Sequence, residues 1–402
     1  MTDAVVISGI GVVSPLGASL GELTARFCAG ESALAPLPGV DGAWGASVRE
    51  IPLDVVPLDK RTHIGRLDRL CRLFLSAAYL AVDAAQLEIA EAEAERFGLS
   101  FGTGLGCVLT NAEYYRKLIE HGAAAASPRL FAYTVSSAAA GEVSIALGIQ
   151  GANVTAHAGF AAGLAAVGYG CDLIRLGKAD VVLAGGADAL GPALIDGLRG
   201  MGLLKKTTAG PLDAVPFRDL AAGVCPSEGA VVVVLERAER AHRRGAPRHG
   251  RIDGYAAGFE PTLTRRSRES IGIRDTMRRA LALSGHDAAD VDIVMTSAHA
   301  TAVDETEHDA LAAVFAGAPE TLLFAPKRAW GECFAADGVL SLALAASLMY
   351  SAPPAMADGV ALRLDGAPAH AAQTRLASAS LAMVHSLCYS GPTVALLLAR
   401  DE

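Results

Sequence analysis

Short β-branched runs alternate along this chain with longer stretches in which apolar residues recur at helical spacing. Val5-Val6-Ile7-Ser8 predicts a strand, followed by a Gly-rich turn and a helix over 20–30. Apolar positions over 67–87 predict a long amphipathic helix. The segment 180–186 predicts a strand that ends in tight turns. The run Val231 to Leu235 is apolar at every position and predicts a strand covered on both faces. After the basic stretch 240–251 the pattern restarts, with a strand over 252–257, a helix over 274–283 and a strand over 293–296. A helix over 308–315, a buried helix over 339–349 and a last strand over 394–398 follow. Two successive β/α runs predict an α/β protein. Gly245, Pro247 and Gly250 mark a surface connection, so two units are expected, 1–250 and 251–402.

Composition narrows the function. Aromatics make up only 5% of a 402-residue chain that is 52% hydrophobic and holds 43 glycines, which indicates close helix-on-sheet packing rather than disorder. The formal charge of −9 argues against a nucleic-acid partner. The longest nearly apolar stretch, 339–350, is too short to span a bilayer, and the N-terminal residues lack a basic signal-like region. No membrane role is expected, and a cytoplasmic location is. Seven scattered cysteines contain no CxxC pair and no His/Cys cluster with ligand spacing, so neither a metal nor a cofactor is expected.

The first glycines, Gly9-Ile10-Gly11, lack the third glycine of a dinucleotide fingerprint, and Pro15 interrupts the helix start such a site needs. Together with Arg66-Leu67-Asp68-Arg69-Leu70-Cys71, Phe101-Gly102-Thr103-Gly104-Leu105-Gly106 and Ser137-Ala138-Ala139-Ala140-Gly141, that opening resembles the β-ketoacyl synthase family. The likeness continues through Leu176-Gly177-Lys178-Ala179-Asp180 into Gly185-Gly186, then Pro216-Phe217-Arg218-Asp219 and Ser227-Glu228-Gly229-Ala230. Each motif is weak alone, but their shared order covers nearly the whole chain. The resemblance implies the thiolase fold, two stacked βαβαβ-type halves in a five-layer αβαβα arrangement, and pairing as dimers.

The same resemblance locates the nucleophile. Thr155-Ala156-His157 looks superficially like the family's Thr-Ala-Cys, but two glycines place the slot elsewhere. Gly151 lies nine residues before position 160 and Gly177 lies 17 after it, the separations at which the family holds its cysteine. Phe160 occupies that slot, and a phenyl ring cannot accept an acyl group. Ser297-Ala298-His299-Ala300-Thr301 resembles the family's His-Gly-Thr, which makes His299 the first active-site histidine, on a loop shorter than the family's. Lys327 matches the family lysine. Gly331-Glu332-Cys333-Phe334-Ala335-Ala336-Asp337-Gly338 resembles Gly-His-x-x-Gly-Ala-Ala-Gly, with Glu332 replacing the second histidine. An ionised glutamate there would repel the enolate that an imidazole stabilises, and pairing of Glu332 with Lys327 is expected.

His385-Ser386-Leu387-Cys388-Tyr389-Ser390-Gly391-Pro392-Thr393 resembles the family's gating loop. Tyr389 takes the gating aromatic's place, and Cys388 and Ser390 replace flexible glycines. Cys388 and Cys333 are candidates for a displaced nucleophile, without an evident neighbouring base. Arg66, Arg69 and Arg72 share one helix face and suit docking of an acidic acyl-carrier protein; Arg265, Arg266 and Arg268 form a second basic patch.

Loss of cysteine, second histidine and loop glycines together resembles a chain-length factor. That resemblance implies a non-condensing subunit that heterodimerises with a cysteine-bearing ketosynthase and shapes its acyl tunnel in polyketide, polyene or fatty-acyl synthesis. Two alternatives stay open: an acyltransferase, decarboxylase or hydrolase acting through His299, and a scaffold that only binds carrier protein.

Overall fold

A computed structural model describes residues 4–40, 42–204, 217, 223–260, 270–298, 301–350, 355–364, 368–369 and 372–401. Its organisation is a repeat. Strands Asn153–Ala156, Phe97–Gly102, Val181–Asp188, Gly229–Arg237 and Val5–Val13 lie side by side in that order. Strands Leu322–Phe324, Ile293–Met295, Leu381–Leu387, Pro392–Ala399 and Arg251–Phe259 repeat it, with the short strand Ala361–Leu362 outside Leu322–Phe324. In each set the first three strands run parallel, and the fourth and fifth alternate direction. The two sets meet through the pairs Val5↔Ile252 and Val6↔Arg251.

Side-chain alternation builds the layers. Val231, Val233 and Leu235 face a core shared with helices Ala162–Arg175 and Asp337–Tyr350, whereas Val232 and Val234 face helix Arg69–Ala84. In the second set Val394, Leu396 and Leu398 face the same central core, and Ala395 and Leu397 face the layer of helices Ile271–Ser284 and Ala302–Val314. The expected layers therefore exist: helices, sheet, two central helices, sheet, helices. This is the thiolase fold. Helix Asp337–Tyr350 is buried along almost its whole length, as its apolar character on every face requires.

Several sequence expectations need adjustment. The first strand does not turn at its glycines but runs on to Val13. Gly9 and Gly11 are there because the helix Arg69–Ala84 crosses them. A Cβ would lie 2.4 Å from the Ala81 carbonyl at position 9 and 2.0 Å from that of Ala77 at position 11. The helix expected over 308–315 starts earlier, as Ala302–Val314, capped by the Thr301 hydroxyl. The basic stretch 240–251 is not simply a connection. Helix Ala238–Arg243 occupies its start, and Arg240 and Arg244 both pair with the buried Glu236. Among the described residues no helix is long and apolar enough to cross a membrane.

Candidate active site

Phe160 lies in the turn between strand Asn153–Ala156 and helix Ala162–Arg175. The preceding Gly159 has φ +55, and a Cβ on it would come within 2.3 Å of the Cys388 sulfur. No side chain caps the helix at Ala161, so the first turn relies on its own short backbone bonds, Ala161 N–H to Ala158 O and Ala162 N–H to Gly159 O. Opposite, the Ala335 carbonyl sits in a notch that two glycines make: a Cβ would meet it at 2.0 Å from Gly163 and at 2.3 Å from Gly186. That close approach carries the segment leading into the second central helix onto the start of the first.

The half-buried Phe160 ring meets the wholly buried Phe334 edge-on, with centroids 4.9 Å apart, and meets Tyr389 edge-on at 5.6 Å. The Phe160 carbonyl accepts from the Ser386 hydroxyl at 3.4 Å. The two phenyl rings belong to one apolar cluster with Leu105, Leu109, Leu190, Leu194 and Leu203. Cys388 is buried, with its sulfur 3.2 Å from the Ser390 hydroxyl. Cys388 N–H bonds Pro392 O and Gly391 N–H bonds Cys388 O, which closes 388–392 into a hairpin turn. Tyr389 sits at the tip of that turn.

Behind this apolar mouth is a buried charged pocket. The Lys327 ammonium lies 2.7 Å from Glu332, 3.6 Å from Asp337 and 3.3 Å from the Ser297 hydroxyl. The second Glu332 oxygen accepts the Phe334 N–H at 3.0 Å. Burial opposes the lysine's charge, but the Glu332, Asp337 and Glu307 carboxylates outweigh it and hold its pKa above the usual lysine value. Burial first, and then the Glu332 charge, push Asp337 well above the carboxylate range, while Trp330 Nε1 donates to it at 2.9 Å. Burial and the neighbouring carboxylate thus favour the neutral form of Asp337, while Lys327 and Glu332 form the close ion pair of the cluster.

A second buried chain runs nearby. Glu307 accepts the Ser297 N–H at 2.8 Å and bonds His385 Nδ1, and His385 Nε2 lies 2.8 Å from the Thr393 hydroxyl. Burial raises the Glu307 pKa, but the hydrogen bond from His385 outweighs it and holds the carboxyl below its usual value. Hydroxyl, imidazole and carboxylate have the connectivity of a catalytic triad. All three are buried to within 1% exposure, so no substrate reaches the hydroxyl and the chain is structural.

Sequence reasoning missed Asp337, the Glu307–His385 pair and Asp188. Asp337 was legible, since it stands where the resembling motif has alanine. Asp188 accepts from the Thr103 hydroxyl at 2.6 Å and from the N–H groups of Gly104, Leu105 and Ala335, and so ties the ends of two strands to the Phe334 segment. Burial raises its pKa against those four bonds. Its only sequence signal was the end of a Gly-Gly-Ala-Asp strand.

Other expected residues fall differently. His299 lies outside the described residues, as do Arg265, Arg266 and Arg268. Cys333 is fully buried against Ser227, and burial raises its pKa well above the usual thiol value, which disfavours the thiolate. The three arginines expected on one helix face do not share it, because Arg66 lies in the turn before helix Arg69–Ala84. Arg69 turns inward and forks onto the buried Glu228, while Arg66 is exposed and Arg72 half-buried. Arg66, Arg69, Arg72 and Arg129 line a cleft of about 280 Å³ that also holds Asp68 and Glu113. Among the described residues no group of three His, Cys, Asp or Glu side chains is arranged to hold a metal ion.

The model of the β-ketoacyl synthase N-terminal domain matches residues 2–241, and that of the β-ketoacyl synthase C-terminal domain matches 249–354. Nodulation protein E of Rhizobium leguminosarum bv. trifolii is 34% identical over 324 residues, 78% of each chain. The tetracenomycin polyketide synthase ketoacyl synthase beta subunit of Streptomyces glaucescens is 33% identical over 360 residues, 85% of this chain and 84% of its own. Among solved structures, the ishigamide ketosynthase/chain length factor superposes over the full length of both chains with a TM-score of 0.84 at 24% identity. The family matches, the fold and the ordered motifs agree, and the chain belongs to the β-ketoacyl synthase family.

Proposed function

We propose that the chain is a non-condensing, chain-length-factor-type subunit that pairs with a cysteine-bearing ketosynthase and shapes the space available to its growing acyl chain. The observation that carries this reading is the Phe160 ring, held between Phe334 and Tyr389, at the position that motif spacing matches to the family's cysteine. Nothing at that position can attack a thioester. Glu332, in the place of the second histidine, already spends its two oxygens on Lys327 and the Phe334 N–H. A carboxylate so placed would oppose the negative charge that condensation develops.

Relatives of this family that are named as ketosynthase alpha and beta subunits support a pairing of unlike copies. Strand Asn153–Ala156 is hydrogen-bonded to Phe97–Gly102 on one side and ends the sheet on the other. Such an edge is a template for a partner strand. Beside it, Ile145 on helix Ala138–Leu147 is 78% exposed. The cleft with Arg66, Arg72 and Arg129 suits an acidic carrier protein, although Arg69 takes a structural place.

The test is native mass spectrometry of the chain captured from its host, followed by product analysis of the complex. A one-to-one complex with a cysteine-bearing synthase is expected, with products unchanged by His299→Ala. A homodimer without synthase, or loss of product on His299→Ala, would favour an enzyme acting through that histidine.

A further inference from the structure

The two oxygens of Glu332 serve different ends. One receives the Lys327 ammonium at 2.7 Å; the other receives the N–H of Phe334, two residues on, at 3.0 Å. Phe334 stands at φ +54, a conformation that a bulky side chain adopts only where its surroundings enforce it. Its ring is wholly buried and bears edge-on on Phe160, which bears in turn on Tyr389. On the other side, the Ala335 N–H is fixed by Asp188 and the Ala335 carbonyl lies in the glycine notch. The backbone that aims Phe334 is thus held on both sides.

We infer that Glu332 is a positioning residue. Acting through Phe334, it seats a plug of Phe334, Phe160 and Tyr389 over the start of helix Ala162–Arg175, and the plug keeps an acyl chain out of this subunit's own cleft. Both phenyl rings pack in one apolar cluster with Leu105, Leu109, Leu190, Leu194 and Leu203, so a cleft opened by removing a ring has apolar walls that suit an acyl chain. The two replacements, phenylalanine for cysteine and glutamate for histidine, then act as one device. The inference rests on the non-condensing reading for its biological sense, but its geometry stands alone.

Cys388 reports on the plug, because its sulfur lies against Gly159 beside Phe160 and is buried. Cys171, fully buried in the central core with its thiol pushed up to about 12 by burial, reports on global unfolding. The experiment measures N-ethylmaleimide modification of each thiol by peptide mass spectrometry in the wild type, Glu332→Ala, Glu332→Gln and Phe160→Ala. Glutamine keeps an acceptor for the Phe334 N–H, and Asp337 can ionise to balance Lys327 in its place. Cys388 is expected to react about tenfold faster in Glu332→Ala and Phe160→Ala and at the wild-type rate in Glu332→Gln, with Cys171 protected throughout. The Phe160→Ala protein should also bind a fluorescent fatty acid that the wild type does not.

An unchanged Cys388 rate in Phe160→Ala overturns the plug, and equal rates in Glu332→Ala and Glu332→Gln overturn the role of Glu332. If Glu332→Ala exposes Cys171 as well, Phe160→Ala and Glu332→Gln decide: fast in the first and slow in the second supports the inference, and any other result overturns it. None of these readouts needs a partner subunit, so they fail separately from the complex and product tests of the subunit reading.

Discussion

The two central helices occupy equivalent places in the repeat, and each is entered through Phe-Ala-Ala: Phe160-Ala161-Ala162 before one, Phe334-Ala335-Ala336 before the other. Their entrances have diverged in opposite directions. The first is apolar, with Phe160 as its central side chain. The second is buried and charged, with Glu332 and Asp337 within 3.6 Å of the Lys327 ammonium. The rings of Phe160 and Phe334 join the two. One scaffold thus tolerates either content at a helix start, provided that the apolar side is filled and the charged side is balanced.

The largest expected effect comes from unbalancing the charged entrance. Lys327→Met leaves Glu332 buried without its cation and should cost about 3–5 kcal/mol in urea unfolding. Adding Glu332→Gln should recover much of that loss, since it removes the buried charge left without its cation. If the single variant is as stable as wild type, the pair does not hold the pocket together.

Next comes the apolar entrance. Phe334→Ala should cost about 3–5 kcal/mol, because the ring is fully buried, and Phe160→Ala about 1–3 kcal/mol, because it is half-buried. In a double-mutant cycle the two should couple by about 0.5–1.5 kcal/mol, the usual worth of an edge-on aromatic pair. Strict additivity would separate the two entrances.

A smaller effect is read in pH. Glu307, whose pKa is lowered, contributes stability that is complete above the unfolded glutamate value and lost as pH falls through its lower folded value. Stability should therefore fall below about pH 4.3, and Glu307→Gln should flatten that fall. Asp337, whose pKa is raised, has the opposite sign and becomes less costly as pH falls. The smallest effect follows: Asp337→Asn should change stability by less than about 1 kcal/mol at neutral pH, because burial and the Glu332 charge already favour the neutral form of that carboxyl. A larger loss would show that Asp337 is ionised.

How far the sequence reveals this site depends on what each residue signals. The pairing of Lys327 with Glu332 was legible, because both stand in one short motif whose neighbours are intact. The layered fold was legible in strands such as Val231 to Leu235, apolar on both faces. Gly9 and Gly11 were misread as a turn, because a glycine needed for a crossing helix looks locally the same as one needed for a bend. The ion pair of Arg69 was not legible, because its partner Glu228 lies 159 residues away in sequence. Glu307 and His385 are likewise 78 residues apart and joined only by the sheet. Long-range polar pairs of this kind leave no periodic trace.

The central claim is that this chain carries no acyl nucleophile. It is tested most directly by intact-protein mass spectrometry of the chain, co-purified with a cysteine-bearing ketosynthase and incubated with an acyl-carrier thioester. The account expects the acyl mass on the ketosynthase and none on this chain, in the wild type and in Cys388→Ser alike. An acyl adduct on this chain, at Cys388 or at any other residue, would contradict it.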